Sequence, residues 1–116
     1  MNNRVKGSCY EDLAASFFEN KGYMILERNY RRKTGEIDLI VKSPEGYIVF
    51  TEVKYRKGTG KGYPYEAVNL NKQNRIYRTA EWYLKEKKLY SVKCRFDVIS
   101  ILGNEITHFE NAFGGF

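Results

Sequence analysis

Asp38, Glu52 and Lys54 are the residues of this 116-residue chain whose types and spacing suit chemistry. Two carboxylates and an ammonium brought together make a reasonable Mg²⁺ site. Mg²⁺ takes hard oxygen ligands, keeps several waters, and is often held by one or two carboxylates plus substrate phosphate. The chemistry on offer is Lewis-acid polarisation of a phosphate and a more acidic water. The lysine would orient or activate that water, or offset charge that develops in the transition state. The same residues would also serve as plain cross-strand charge pairs on an exposed hairpin. Position decides between the two.

Strands must supply that position. Side chains alternate along a strand, so i and i+2 share a face. Segment 47–55 (YIVFTEVKY) is rich in β-branched and aromatic residues and reads as a strand. One face carries Ile48, Phe50, Glu52 and Lys54; the other carries Tyr47, Val49, Thr51, Val53 and Tyr55. A carboxylate and an ammonium ending an apolar face are costly unless paired or functional. Segment 36–42 reads as the other arm of a hairpin, with Glu36, Asp38, Ile40 and Lys42 on one face. Ser43-Pro44-Glu45-Gly46 is a turn signal. A three-residue loop, 44–46, with Gly46 in third place sets Asp38 opposite Glu52. An even-length loop would set Asp38 opposite Thr51 instead.

The remaining elements follow from periodicity. Leu13, Ala14, Phe17 and Phe18 predict a helix over 9–21, stopped by Gly22. Residues 23–30 read as a strand, 31–35 as a basic turn, and 56–64 as a basic, glycine-rich loop. A long helix is expected over 65–88, with Ile76, Tyr77, Ala80, Tyr83 and Leu84 on one face. Strands are expected over 92–102 and 105–110 about a turn at Gly103-Asn104, with 114–116 frayed. The order α-β-β-β-α-β-β predicts an α/β fold in which helices pack a mixed sheet, as one domain over 1–116.

The helices add further candidates. Glu11, Ala14, Ala15 and Phe18 form one stripe of the first helix, which turns Glu11 toward the core side near the helix start. An acid there would also simply offset the helix dipole. Gln73 continues the stripe of Tyr77, Ala80 and Leu84, as an amphipathic edge residue does. Lys72, Arg75 and Arg78 form a basic strip that suits a phosphate backbone as well as plain solvent.

Bulk properties narrow the class. Hydrophobic residues make up 42% and aromatics 16%, enough for a core and against wholesale disorder. Twenty Lys and Arg against 14 Asp and Glu give +6 and a pI near 9.3, which suggests a polyanionic partner. Cys9, Cys94 and the single histidine, His108, form no zinc pattern, and both cysteines are expected reduced and at least partly buried. No apolar run suits a signal peptide or a membrane span, so no membrane partner and a cytoplasmic location are expected. Gly58-Thr59-Gly60-Lys61-Gly62 lacks the Walker spacing and reads as a mobile loop beside the site, closing over substrate.

Several segments together carry a resemblance. Asp38, thirteen intervening residues and Glu52-Val53-Lys54 resemble the D…E-x-K pattern of the PD-(D/E)XK nuclease superfamily. Gly35-Glu36-Ile37-Asp38-Leu39-Ile40, Phe50-Thr51-Glu52-Val53-Lys54-Tyr55-Arg56 and Cys94-Arg95-Phe96-Asp97-Val98 are similar to the bacterial YraN-like family. The closing stretch 106–113 fits that family too, so the resemblance spans nearly the whole chain. It implies a restriction-endonuclease-like fold similar to that of archaeal Holliday-junction resolvases. It also implies Asp38 and Glu52 as ligands of Mg²⁺ or Mn²⁺, Lys54 as the catalytic lysine, and Glu11 as the acidic residue of the first helix. Gln73-Asn74-Arg75-Ile76-Tyr77 matches a Q-x-x-x-Y pattern of some exonuclease-type branches, and Ile37 stands where the superfamily pattern has proline.

Three functions are then in view. The first is a metal-dependent endonuclease hydrolysing phosphodiesters of structured or branched DNA. Enzymes of that type often pair two active sites, so a homodimer is among the partners to expect. The second is a nucleic-acid-binding module that does not cut. Its contacts would come from Arg31, Arg32, Lys33, Arg56, Lys57, Lys61, Lys72, Gln73 and Arg75. The third is an interaction protein docking through the 56–64 loop, which leaves Asp38, Glu52 and Lys54 unexplained.

Overall fold

The chain folds in the predicted order: α1 (Asn3–Asn20), β1 (Met24–Arg32), β2 (Gly35–Lys42), β3 (Ile48–Arg56), α2 (Leu70–Glu86), β4 (Cys94–Leu102) and β5 (Glu105–Phe109). The structure is a computed structural model that describes residues 3–56 and 69–113, with side chains from Cys9 onward. The strands form one sheet in the order β1-β2-β3-β4-β5. Among the described strands only β3 and β4 run parallel; the other neighbours are antiparallel. A parallel pair needs a long crossover, and α2 lies in it.

A helix covers each face of the sheet, which is why the central strands are apolar on both sides. Tyr30, Ile40, Phe50, Phe96, Ile76, Ala80 and Tyr83 make the core beneath α2. Ala14, Phe18, Leu39, Val41, Val49, Ile99 and Ile101 make the core beneath α1. The α2 side is dense in rings: Phe96 meets Phe50 at 5.4 Å, Tyr77 at 4.8 Å and Phe113 at 5.6 Å between centroids.

The β2–β3 hairpin has the register that the odd-length loop predicts. Its ladder runs from Lys42 opposite Ile48 to Leu39 opposite Thr51. The Ser43 N–H donates to the Tyr47 carbonyl at 2.9 Å, leaving Pro44-Glu45-Gly46 as the loop, with Gly46 at φ +97. One more step along the ladder brings Asp38 beside Glu52. Strict alternation fails at that step. Ile37 packs with Ile40 beneath α2, while Leu39 and Val41 pack beneath α1. The irregularity falls at Asp38, where the β2–β3 ladder stops.

Four boundaries correct the sequence reading. The first helix starts at Asn3, not residue 9. Residues 3–8 (NRVKGS) carry no apolar period, and Gly7 and Ser8 are weak helix formers, so nothing local announces that start. Glu11 therefore lies past the first turn, and Cys9 is exposed rather than partly buried; Cys9 and the half-buried Cys94 are both free thiols. Leu13, one of the apolar residues whose spacing predicts the helix, is 48% exposed. The second helix starts at Leu70, not 65, because Asn69 caps it: its side chain accepts from the Lys72 N–H at 2.9 Å. It ends at Glu86, not 88. Strand β1 runs on through Arg31 and Arg32, leaving only Lys33-Thr34 as the turn. The proposed loop beyond Arg56, with Lys57 and Lys61, lies outside the described residues, as does 114–116. Among the described residues no helix is long and apolar enough to cross a membrane.

Both helices close in the same way. Tyr23 N–H donates to Phe18 O at 3.0 Å and Gly22 N–H to Glu19 O at 3.0 Å; Leu89 N–H donates to Leu84 O at 2.8 Å and Lys88 N–H to Lys85 O at 3.1 Å. That pattern needs a left-handed residue, which is Gly22 (φ +88) after α1 but Lys88 (φ +56) after α2. A side chain in that conformation costs about 1 kcal/mol. Lys88→Gly is therefore expected to raise stability by about 0.5–1 kcal/mol, read as a higher urea midpoint at unchanged slope. An unmoved or lowered midpoint would refute the strain.

Candidate active site

Where β2 leaves β3, a cleft of about 720 Å³ opens toward the start of α2. Gly35, Glu36, Asp38, Glu52, Val53 and Lys54 line its sheet side, and Asn69, Asn71, Lys72, Arg75 and Ile76 its helix side. Alternation along β3 turns Glu52 and Lys54 to this side, in line with Ile48 and Phe50 of the α2-side core. Glu52 is only 6% exposed. Its Oε2 lies 2.7 Å from Lys72 Nζ and 3.4 Å from Lys54 Nζ. Asp38 Oδ2 accepts from the Val53 N–H at 2.8 Å, which fixes the carboxyl against β3.

The two carboxyls share a proton unequally. Burial raises Asp38 most, and the negative charge of Glu52 and the hydrogen bond to it raise it further, to about 8; the Val53 N–H opposes this, and Glu11 adds a smaller push. Burial alone would raise Glu52 as well. Hydrogen bonds from Asp38 and Lys72 and the charges of both lysines outweigh it and hold Glu52 below the usual carboxylate range. Asp38 thus carries the proton and Glu52 the charge. Burial does most to lower the pKa of Lys54, and Lys72 beside it adds a smaller push the same way, against the pull of Glu52. Burial also opposes charge on Lys72, but its hydrogen bonds with Glu52 and Lys54 prevail and raise it. Of the two lysines, Lys54 is the one that gives up a proton more readily.

A pH dependence follows. A carboxyl titrating near 8 in the fold, against an ordinary 3.8, keeps its proton after the unfolded chain has lost it. The folded state then binds more protons between those values, so stability falls as pH rises through that window. Asp38→Asn mimics the protonated carboxyl and is expected to remove the fall. It should be more stable than the parent chain above about pH 8, and nearly equal to it near about pH 4, in urea unfolding. A variant that is less stable than the parent at the upper pH would contradict the assignment.

The other candidates separate. Lys72 and Arg75 face the cleft, whereas Arg78, next on the strip, lines a neighbouring depression. Lys72, whose strip suited solvent or a phosphate backbone, has its ammonium on Glu52. Gln73 lines a shallow depression with Asn69, Leu70 and Asn71 rather than the cleft, and Tyr77 of the Q-x-x-x-Y match packs on Phe96. Glu11 is half-buried and is not among the cleft's lining residues, although its charge reaches Asp38. Arg31 pairs with Glu36 at 3.3 Å. Arg32 is committed to Glu86, with Nε and Nη2 at 2.9 and 2.8 Å, and stacks on Tyr30. Lys33 is exposed at the β1–β2 turn, and Arg56 is half-buried at the end of β3.

Sequence reasoning missed one cluster. On the α1 side, fully buried Asp97 accepts from Arg95 Nε at 3.0 Å, from His108 Nε2 at 2.6 Å and from the Asn111 N–H at 3.0 Å. Arg95 also donates to the Tyr23 hydroxyl at 2.5 Å. The signal was there: Arg95 and Asp97 are two charges on a strand face that continues with Ile99 and Ile101.

Comparison with known proteins places the chain. It is 46% identical over 117 residues to a UPF0102 protein of Lachnoclostridium phytofermentans, covering 100% of this chain and 98% of that one. A UPF0102 protein of Persephonella marina is 44% identical over 109 residues, covering 94% and 93%. One from Clostridium botulinum is 48% identical over 105 residues, covering 90% and 85%. The family model described as "Uncharacterised protein family UPF0102" matches residues 10–101, a span that holds Asp38, Glu52, Lys54 and Lys72. The chain therefore belongs to the UPF0102, or YraN-like, protein family.

Proposed function

We propose that this protein is a Mg²⁺- or Mn²⁺-dependent endonuclease that hydrolyses phosphodiesters of structured or branched DNA, on a restriction-endonuclease-like fold. The observation that carries the reading is the convergence of Asp38, Glu52 and Lys54 in one polar cleft, with Lys72 and Arg75 on its helix wall. Among the described residues there is no group of three or more His, Cys, Asp or Glu able to hold a metal. Two carboxylates suit an ion that keeps its waters and takes substrate oxygens, as Mg²⁺ does. The raised Asp38 supports the fit, because a divalent cation answers the crowding of two acids that forces a proton onto one of them.

Asp38 and Glu52 would hold the ion, which when bound supplies Lewis acidity toward a phosphate. Lys54, with its lowered pKa, would take a proton from the attacking water or hold it in line. Lys72 must release Glu52 Oε2 for a metal to reach it, and its charged ammonium is then free for the phosphate. The basic surface would hold the DNA, and two copies of the chain would set two clefts on one junction.

Purified protein with branched, single-stranded and duplex DNA tests this, with Mn²⁺ or Mg²⁺ and with chelator, beside Glu52→Ala. Metal-dependent cleavage lost in the variant is expected, together with a Mn²⁺-induced rise in Tm that the variant lacks. Cleavage unchanged by Glu52→Ala, or none on any substrate, would sink the reading. Salt-dependent binding with no cleavage would make the protein a non-cutting nucleic-acid module.

A further inference from the structure

The cleft does not end at Arg75. One helical turn on, Arg78 lines a second depression of about 210 Å³ with Thr34, Glu81, Trp82 and Lys85. The two depressions adjoin, since Gly35 lines the first and Thr34 the second. Thr34 is held against the helix: its hydroxyl bonds that of Thr79 at 2.7 Å, and Thr79 donates to the Arg75 carbonyl at 2.8 Å. Arg75, Arg78, Trp82 and Lys85 recur at spacings of three and four, so they form one stripe along the exposed side of α2.

Trp82 is 49% exposed on that stripe. A large ring left half in water between cations is suited to stack a base while the cations hold the backbone. Glu81 repels phosphate and offers an acceptor to a base amino group, so the base rather than the backbone should face the helix there. At 1.5 Å per residue, Trp82 lies about 15 Å along the helix from Lys72. At about 3.4 Å per nucleotide of a stacked strand, that is about four nucleotides.

We propose that this stripe is a track for an unpaired nucleic-acid strand leaving the cleft, with a base stacked on Trp82 about four nucleotides from the Asp38–Glu52 centre. The substrate class is then a duplex or junction with a single-stranded extension. The proposal rests on the reading that the cleft takes nucleic acid, but not on cleavage.

Trp82 is the only tryptophan in the chain, so its emission reports this site alone. With chelator present, a short oligodeoxycytidine is titrated while Trp82 emission and the anisotropy of a labelled oligonucleotide are followed. Quenching that saturates together with anisotropy is expected. Trp82→Ala should weaken single-strand binding roughly 5- to 100-fold, with blunt duplex binding unchanged and Trp82→Phe restoring most of the loss. Circular dichroism and Tm check that the exposed substitution leaves the fold intact. The track is overturned if the oligonucleotide does not bind, if it binds with emission and Trp82→Ala affinity unchanged, or if both DNA forms weaken equally. It is also overturned if Trp82→Ala turns a dimer into a monomer by sedimentation, because the ring is then a contact between copies. Quenching without Mn²⁺-dependent cleavage would retain the track and refute the nuclease. Glu52-dependent cleavage with Trp82 silent would do the reverse.

Discussion

Asp97→Ala is expected to lower stability by about 3–5 kcal/mol, the cost of stripping one partner from a buried ion pair. For a domain of this size that is a fall in Tm on the order of 10 °C or more. Asp97 is 0% exposed, and the Arg95 side chain that it neutralises is 12% exposed. The variant leaves that guanidinium with the Tyr23 hydroxyl and with Glu110 at 3.6 Å, itself largely in solvent. It also frees His108 Nε2 and the Asn111 N–H. Burial on its own would raise the Asp97 pKa, but the bonds from His108, Arg95 and the Asn111 N–H prevail and lower it. A depressed carboxyl contributes stability that is present above its unfolded value and is lost as pH falls through its folded one. The parent should therefore lose stability in acid, and Asp97→Asn should lose less of it there, starting from a lower value at neutral pH. Denaturant midpoints at neutral pH and near about pH 3 measure both. A Tm unmoved by Asp97→Ala would refute the account.

The second large effect belongs to Lys54. On the proposed function, Lys54→Ala is expected to slow cleavage by about 10²–10³-fold, the usual loss when one preorganised electrostatic partner is removed from a reacting centre. Lys72→Ala is expected to slow it less. Lys72 has its pKa raised and lies 2.7 Å from Glu52, whereas Lys54 has its pKa lowered. A charged lysine helps to bind phosphate, and only one poised to lose its proton also handles the water. Single-turnover rates at saturating DNA separate the two, because loss of phosphate binding appears in KM and loss of proton handling in kcat. Full activity in Lys54→Ala beside collapse in Lys72→Ala would exchange the roles.

The sequence was most legible where structure is local. Seven elements and their order came from periodicity, and the hairpin register from one glycine, Gly46, at the end of an odd loop. That register, carried one step past the end of the ladder, puts Asp38 beside Glu52, and the Val53 N–H holds its carboxyl there. What could not be read depends on distant residues meeting. Lys72 joins Glu52 only because α2 packs back over the sheet, so along the chain it looks like one more surface cation. Tyr23 lies just before β1, Arg95 and Asp97 on β4 and His108 on β5, and they meet only in the folded molecule. The early start of α1 was hidden because the sequence of its first residues, NRVKGS, has no apolar period. The break in alternation at Asp38 was hidden too, since Glu36-Ile37-Asp38-Leu39 alternates cleanly on paper.

The two open margins of the sheet have a consequence of their own. Strand β1 shifts register between Ile25 and Glu27, bends at Asn29 (φ +54) and carries Arg28, Arg31 and Arg32. Strand β5 has five residues, with Glu105 and Thr107 exposed. A kinked, cationic margin and a short, polar one are poor templates for another strand, because an incoming chain finds no flat run of free amides. Edge-to-edge growth and amyloid-like stacking are therefore opposed at both ends of the sheet.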